Sequence, residues 1–525
     1  MTHAPTPASV PVKRYEAAAR VSLLVLILAS LVSFVVWVPL GTAVQIGADE
    51  GFELAKAELC ASGFRLYEQV WNDQPPLHTF LTSGVVQQMG EQVLWLRLLT
   101  CFFALGLATA FFFLVLSQGG VTVALLAVWL LICSPGFLEP GASCMLEIPT
   151  LFWAVAGLSF LAVAARRPFW RQACLAAGGV FGLAMLTKLI AAVLLPVASL
   201  ILWLGFVARK HERHAFSANL AEKSANVGFS KKTLSVADRF FRAGSLAFLF
   251  GLVLAFVVGD FMIDGGAFLR NFQQTWTSHF GAAKSFEYGS AEDHPFDLRA
   301  LGRNWDATLP ALAGVFICAR QLRKKPLSTI PIVWLALILA IFGFHRPWWG
   351  YYYVHLALPL CWCASIGLDG LGRHMIIGRR IMPKLACCGL FSLLAVWTGA
   401  RFYLEIRGIR QSPQTFSALA LEQARKFKGL TRFMYTDAPV CSFHCGIAMP
   451  PDLAVLPLKR FWAAEMTNER LSAEMRSIKP GILLLANDPS PPPFQNLISS
   501  DYRLVYEDAH HRLFALRPLA KSAGF

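Results

Sequence analysis

Two carboxylates stand side by side where an apolar run ends, in "VPLGTAVQIGADEGFELAKAEL": Asp49 and Glu50. A carboxylate held at such an edge can take a proton from an attacking hydroxyl, which is general-base chemistry. It can equally cap a helix, because a helix N-terminus favours negative charge. Beyond the pair, Phe52, Ala55 and Leu59 are spaced to share one helical face, with Glu53, Lys56 and Glu58 over the rest. Gly63 supplies a stop, and Asp73-Gln74-Pro75-Pro76 breaks the chain before another short apolar helix. A short amphipathic helix directly after a membrane-spanning run is expected to lie in the interface plane. The pair, that helix and the Trp71–Pro76 turn together point to chemistry rather than to a cap alone.

Further charged residues fall where apolar segments meet. Lys188, in "GLAMLTKLIAAVLLP", sits at the turn between two short apolar segments. A charge there either binds an anion or snorkels to the interface. His345 and Arg346 open "HRPWWGYYYVHLALPL". The guanidinium suits a bidentate phosphate contact, and an aromatic belt with a snorkelling Arg is the alternative. Glu147, just before an apolar segment, could assist Asp49, hold a cation or cap the helix that follows. Arg97, early in another such segment, is expected to snorkel. In "CSFHC", Cys441 and Cys445 flank His444; without a second cluster that spacing makes a poor metal site, and a disulfide stays open.

The elements that must position these residues are membrane helices. The chain has 525 residues, of which 56% are hydrophobic and 15% charged. The apolar residues come in blocks long enough to cross a bilayer core, which takes roughly 20 helical residues. About eleven such segments run near 20–40, 93–116, 121–138, 149–165, 172–187, 189–207, 243–263, 306–319, 327–344, 354–370 and 385–403. Uninterrupted runs of this kind fit a polytopic α-helical membrane protein, not the alternating strands of a barrel. The first run lacks a convincing cleavage site and reads as a retained helix.

The net charge of +15 lies between the apolar runs, where it sets topology, so no nucleic-acid partner is expected. Lys13, Arg14 and Arg20 precede the first segment, and the other basic clusters fall on the same side, which is therefore expected to be cytoplasmic. The loops opposite, 41–92 and 264–305, are acid-rich. The stretch 208–242, rich in Lys, Ser and Asn, reads as a flexible cytoplasmic linker. An odd number of crossings places 404–525 on the outer side, apart from the membrane domain 1–403. There "PQTFSALALEQARKFKG" reads as an amphipathic helix, "RFMYTD" and "GILLLAN" as buried strands, and "YRLVYED" with "HRLFALR" as a strand pair, together a small α/β domain.

"ADEGFELAKAEL" followed by "SGFRLYEQVWNDQPPL" resembles the first outer loop of the GT-C glycosyltransferases, in particular bacterial enzymes akin to protein O-mannosyltransferases and the lipid A aminoarabinose transferase. "GASCMLEIPTLF", "GLAMLTKLIAAVLLP" and "HRPWWGYYYVHLALPL" agree in order. The resemblance implies a GT-C fold in a bacterial inner membrane and a polyprenyl-phosphate sugar as donor. It also implies transfer with inversion on the outer face, with Asp49 as the catalytic acid residue. The acceptor is then a lipid, glycan or protein. On physical grounds Glu50 would support Asp49 or hold the interfacial helix, and Lys188, His345 and Arg346 would meet the donor phosphate. Glu147 and His279, the latter in "TWTSHFGAAKSF", would serve the acceptor, the sugar or a second acidic site. No phosphate-binding GxxxxGK[ST] loop or GxGxxG turn is present, and the acid pair admits a divalent cation without requiring any cofactor. A secondary transporter or flippase with Glu147 and Lys188 on its path is the alternative, and a non-catalytic assembly factor a third reading.

Overall fold

The structure, a computed structural model, describes residues 10–164, 168–220, 231–285, 294–322, 326–377, 381–411 and 416–525. The apolar runs are helical. After α1 (Val10–Trp37), the first long loop carries α2 (Glu50–Ala61) and α3 (Leu77–Met89). Next come α4 (Val93–Gly119), α5 (Val121–Ile132), α6 (Pro135–Ala142), α7 (Glu147–Ala164) and α8 (Trp170–Thr187). A 3₁₀ turn, Leu189–Leu194, leads into α9 (Leu195–Leu220), and α10 (Lys231–Asp264) follows. The second long loop holds α11 (Ala267–Arg270), α12 (Phe272–Ser285) and α13 (Leu298–Arg303). The bundle closes with α14 (Trp305–Gln321), α15 (Thr329–Phe344), α16 (Tyr353–Ile377) and α17 (Ile381–Gln411).

Among the described residues eight helices are long and apolar enough to cross a membrane, or nine if the bent pair α5–α6 makes one span. That pair turns by 66° at the Ser134–Pro135 break, where proline removes a backbone donor. The expected eleven segments are all helical, but two fall short as independent spans. Helix α8 opens on Trp170-Arg171-Gln172, and α14 has 17 residues. Both are held by neighbours instead, α8 by α7 and α10, and α14 by α16. Neither end of the expected linker 208–242 is a loop: α9 continues to Leu220 and α10 starts at Lys231. Residues 221–230 of it lie outside the described residues. The Ala, Arg, Lys and Glu in "ARKHERHAFSANL" are good helix formers and extend α9 although no apolar face demands it.

Beyond α17 the chain builds a four-stranded sheet. In chain order the elements are α18 (Ala418–Arg425), β1 (Met434–Thr436), α19 (Val440–Cys445), α20 (Leu458–Trp462), α21 (Asn468–Ile478), β2 (Ile482–Ala486), α22 (Gln495–Asp501), β3 (Tyr502–Glu507), β4 (His511–Leu516) and α23 (Arg517–Ser522). The order across the sheet is β1-β2-β4-β3. Strands β1 and β2 are parallel, with Tyr435 opposite Leu483, while β4 pairs antiparallel with both β2 and β3. These are the four strands read from the sequence.

Alternation along the strands divides two cores. Met434, Ile482 and Leu484 face α18 and α19, and Tyr435, Leu483 and Leu485 face α21 and α22. Helix α2 takes part in both: Leu54 and Ala57 join the first core, Ala55 and Leu59 the second. The loop helix therefore sits between the membrane bundle and the C-terminal sheet, which share one side of the molecule. An interface-plane helix with a solvated face is not what forms. Glu53, Lys56 and Glu58 are buried with the apolar residues of α2: Lys56 meets Glu53 and Asn72 of the first loop, and Glu58 lies near Lys428 of the C-terminal domain.

Candidate active site

The acid pair is split by the fold. Asp49 occupies the N-cap position of α2 but makes no capping hydrogen bond. Neighbouring residues at a helix start point about 100° apart, so Asp49 and Glu50 diverge. Glu50 is fully buried and meets Arg97 of α4, also fully buried. Arg97 grips it through Nε and Nη2, each 2.9 Å from a carboxylate oxygen, a bidentate pair. The same oxygens accept the backbone N–H of Ile46 at 2.8 Å and of Cys144 at 3.0 Å. Arg97 spends its remaining donors on the carbonyls of Leu40 and Ala43, both at 2.8 Å, and of Val44 at 3.3 Å.

Arg97 therefore does not snorkel. A buried guanidinium is tolerable only when paired, and Glu50 together with the turn 40–46 supplies the pairing. The signal lay in a lone charge within an apolar segment, with an acid pair available in the preceding loop. Glu50, with both oxygens engaged, holds the start of α2 to the bundle and to the 143–147 segment. Gly47 makes this approach close: a Cβ there would lie 2.3 Å from Met145 Sδ and 2.5 Å from Ser143 Oγ.

Asp49, partly exposed, turns the other way. The Tyr351 hydroxyl hydrogen-bonds to its carboxylate. Lys188, at the break between α8 and the 3₁₀ turn, feels the charge of Asp49 and donates to Glu147 Oε1 at 2.5 Å. Its ammonium also lies 5.6 Å from the centre of the Tyr351 ring. Asp49, Glu147 and Lys188 thus converge from three segments far apart in the chain, with Tyr351 and Tyr352 closing the cluster. The tyrosines are the residues that the sequence reading left among belt aromatics. Glu147 opens α7, and its charge is met there by the ion pair with Lys188.

The remaining candidates lie at the margin. His345 is exposed in the turn before α16, its ring 5.4 Å from that of Tyr352, and Arg346 beside it is exposed too. His279 belongs to α12, and its side chain lies outside the described residues. Cys441 and Cys445 are free, buried thiols on α19. Their neighbour His444 donates to the Val44 carbonyl at 2.8 Å, so "CSFHC" works here as a helix docked on the first loop. Among the described residues no three His, Cys, Asp or Glu side chains converge as metal ligands.

Helix α2 carries a second buried network. Lys56 Nζ lies 2.7 Å from Glu53 Oε1 and 3.1 Å from Asn72 Oδ1. Burial pushes the Glu53 carboxyl up, Lys56 pulls it back, and Asp49 adds to the rise. One turn further on, burial and then the Glu91 carboxylate push Glu58 up to about 8, against the opposing charge of Lys428. His78 on α3, which faces Cys144, is pushed down to about 3, chiefly by burial and then by Lys56 and Lys188.

Comparison with known proteins bears on this arrangement. Residues 21–212 match the family model of dolichyl-phosphate-mannose-protein mannosyltransferases. No curated protein matches the chain in sequence. Among solved structures, ArnT from Cupriavidus metallidurans in the apo state superposes with a TM-score of 0.62 at 14% identity, covering 96% of this chain and 99% of ArnT. The same protein bound to undecaprenyl phosphate gives 0.60 at 15%, covering 94% and 98%. The apo oligosaccharyltransferase of Archaeoglobus fulgidus gives 0.55 at 13%, covering 88% of this chain and 69% of that one. The chain has the fold of the GT-C membrane glycosyltransferases. The stretch 21–212, which includes Asp49, Glu147 and Lys188, carries the match to the mannosyltransferase family.

Proposed function

We propose that the protein is a membrane glycosyltransferase that moves a sugar from a polyprenyl-phosphate donor to a hydroxyl of a lipid, glycan or protein acceptor. The observation that carries the reading is the placement of Asp49. Its carboxylate, partly exposed and joined to Tyr351, stands in the same cluster as the Lys188–Glu147 pair. A base and a cation so close suit a displacement at an anomeric carbon. The acceptor oxygen attacks that carbon, Asp49 takes its proton, and the bond to the phosphate oxygen breaks with its electron pair on the phosphate. Lys188 stabilises the lipid phosphate as it leaves, so the reaction needs no cofactor, and His345 and Arg346 line the approach.

Glu50 does not react; its role is to fix the start of α2. Transfer takes place on the side that carries the first loop and the C-terminal domain, the extracytoplasmic face of a bacterial inner membrane. The basic clusters at the opposite ends of the helices support that orientation.

Membranes holding the wild type or Asp49→Asn, supplied with radiolabelled polyprenyl-phosphate sugars, test the reading. The wild type is expected to label an acceptor and Asp49→Asn to lose at least about a hundredfold, the lower range for a general base. Equal labelling by the two would remove Asp49 from the chemistry. Sugar crossing proteoliposomes without covalent transfer would establish a transporter instead.

A further inference from the structure

The helical bundle holds a further buried ion pair. Asp306, in the first turn of α14, is fully buried and pairs with Arg401 of α17, itself buried. The Thr398 hydroxyl donates to the other Asp306 oxygen at 3.1 Å. Arg401 Nη2 reaches further and donates to the carbonyl of Cys133 at 3.0 Å. In a continuous helix that carbonyl would accept the N–H of Phe137. Here the Phe137 N–H goes to the Ser134 carbonyl at 3.0 Å, so the α5–α6 break frees the Cys133 carbonyl and Arg401 takes it. Just beyond the break, the eight residues of α6 pack against both α17 and the 3₁₀ turn Gly350–Tyr352. Gly136 lies flush on Tyr353: a Cβ there would stand 2.3 Å from the ring and 3.1 Å from the backbone carbonyl carbon. Tyr353 also lies within electrostatic reach of Arg401 and Asp306. The other end of α6 runs into the segment 143–147, where the Cys144 N–H holds Glu50 and Glu147 pairs with Lys188. Helix α6 thus joins two walls of the Asp49 cluster.

We infer that Arg401 and Asp306 are positioning residues that set the place of α6, and through it the Tyr351–Tyr352 turn and the Glu147–Lys188 pair. The inference rests on the transferase reading for its catalytic consequence, but not for its mechanical one. A buried ion pair costs stability when one partner is removed, whereas apolar side chains in place of both are often neutral. Charge balance and position are therefore separable. With both charges replaced by apolar groups, the Cys133 carbonyl has lost the donor that Arg401 supplied, and α6 can pivot at the Pro135 break. The Thr398 hydroxyl can turn back to a carbonyl of its own helix. A misplacement of about 1 Å in a catalytic group can cost about a hundredfold in rate. Because α6 reaches both the tyrosine turn and the Glu147–Lys188 pair, transfer and donor binding respond together, and kcat/KM is the quantity that reads the effect.

The test uses the full-length protein in nanodiscs, as wild type, Arg401→Lys, Gly136→Ala and the double variant Arg401→Met/Asp306→Leu. Thermal midpoints and hydrogen exchange over residues 143–146 and 350–353 are read beside transfer kinetics. The double variant is expected to keep its midpoint within about 4 °C of the wild type. Its two segments should exchange about tenfold faster, while the strands β2 and β4 keep their protection. Its kcat/KM should fall at least about tenfold. Arg401→Lys keeps the charge and a donor for Cys133, so its exchange and kcat/KM should stay within about threefold of the wild type. Gly136→Ala leaves the ion pair intact but presses α6 against Tyr353, and should speed exchange over 350–353. Unchanged exchange or unchanged kcat/KM in the double variant, unchanged exchange in Gly136→Ala, or a loss in Arg401→Lys as large as in the double variant overturns the inference. A midpoint that falls together with faster exchange in β2 and β4 overturns it too, by reducing the pair to general stability. If exchange responds as described but the wild type transfers sugar from no polyprenyl-phosphate donor, the mechanical coupling stands and the proposed function falls.

Discussion

Replacing Arg97 by Met should destabilise the protein more than any other single change in the first loop region. The side chains of Arg97 and Glu50 are both 0% exposed, and the guanidinium makes two bonds to Glu50 and three to backbone carbonyls. Removing one partner of a buried pair costs roughly 3–5 kcal/mol, because the other charge is left without compensation. Orphaned carbonyls cost about 1–3 kcal/mol each where they stay dry, but those of Ala43 and Val44 lie on partly exposed residues and can recover water. The pair term therefore dominates.

Glu50→Gln should cost less than Arg97→Met, since Arg97 keeps its three carbonyls and the amide oxygen still accepts one backbone N–H. The double variant removes both charges, so its cost should fall short of the sum of the singles by about 2–3 kcal/mol. Denaturant titrations of the four proteins in mixed micelles, followed by Trp fluorescence, read this coupling. Sugar transfer should stay low in the double variant, because the turn 40–46 has lost its tether even though charge balance is restored. Costs that add to within about 0.5 kcal/mol would show that the two side chains do not act as one unit.

Two further outcomes follow from the packing of α2. The carboxyl of Glu58 is pushed up to about 8 from an ordinary value of 4.5, so the stability it gives is complete below about 4.5 and is lost as pH rises through about 8. Thermal midpoints should therefore fall between pH 6 and pH 9, and Glu58→Gln should flatten that fall; a slope equal in both proteins refutes the assignment. At Gly51 a Cβ would stand 2.8 Å from the backbone nitrogen of Val440, and a backbone atom cannot turn aside as a side chain can. Gly51→Ala should cost about 1–3 kcal/mol in denaturant titrations, whereas an unchanged midpoint would show that α19 does not rest on this glycine.

The helices were legible because lipid imposes one requirement on every span, a long apolar run with its backbone bonded internally, and each expected segment is indeed helical. The strands of the C-terminal domain were legible from length and flanks: "GILLLAN" is a short apolar run bounded by Pro480-Gly481 and Asn487, which suits a buried strand between turns. Partners distant in sequence were not legible. Asp49 meets Tyr351 across some three hundred residues, and Glu465 meets Trp71 with a separation of 394. Periodicity within a segment carries no information about such pairs. Helix α2 misled for the same reason. Its Glu53, Lys56 and Glu58 looked like a solvated face, because the groups that meet them, Asn72 for Lys56 and Glu91 and Lys428 for Glu58, lie on other segments.

Arg97 shows why the two adjacent acids have different fates. A guanidinium at 0% exposure has to be neutralised, and the acid that does so has both oxygens engaged. Glu50 has the extra methylene needed to reach into the bundle and present both oxygens to Nε and Nη2, while the shorter Asp49 stays at the helix start, at the edge of the cluster. Fixing Glu50 also fixes Asp49, since the rotation between consecutive helical residues leaves Asp49 no freedom to follow its neighbour. The bundle, through Arg97, and the C-terminal domain, through α19 packed against Gly51, therefore grip the same helix. What they hold in place is the carboxylate of the pair that stays partly exposed, Asp49.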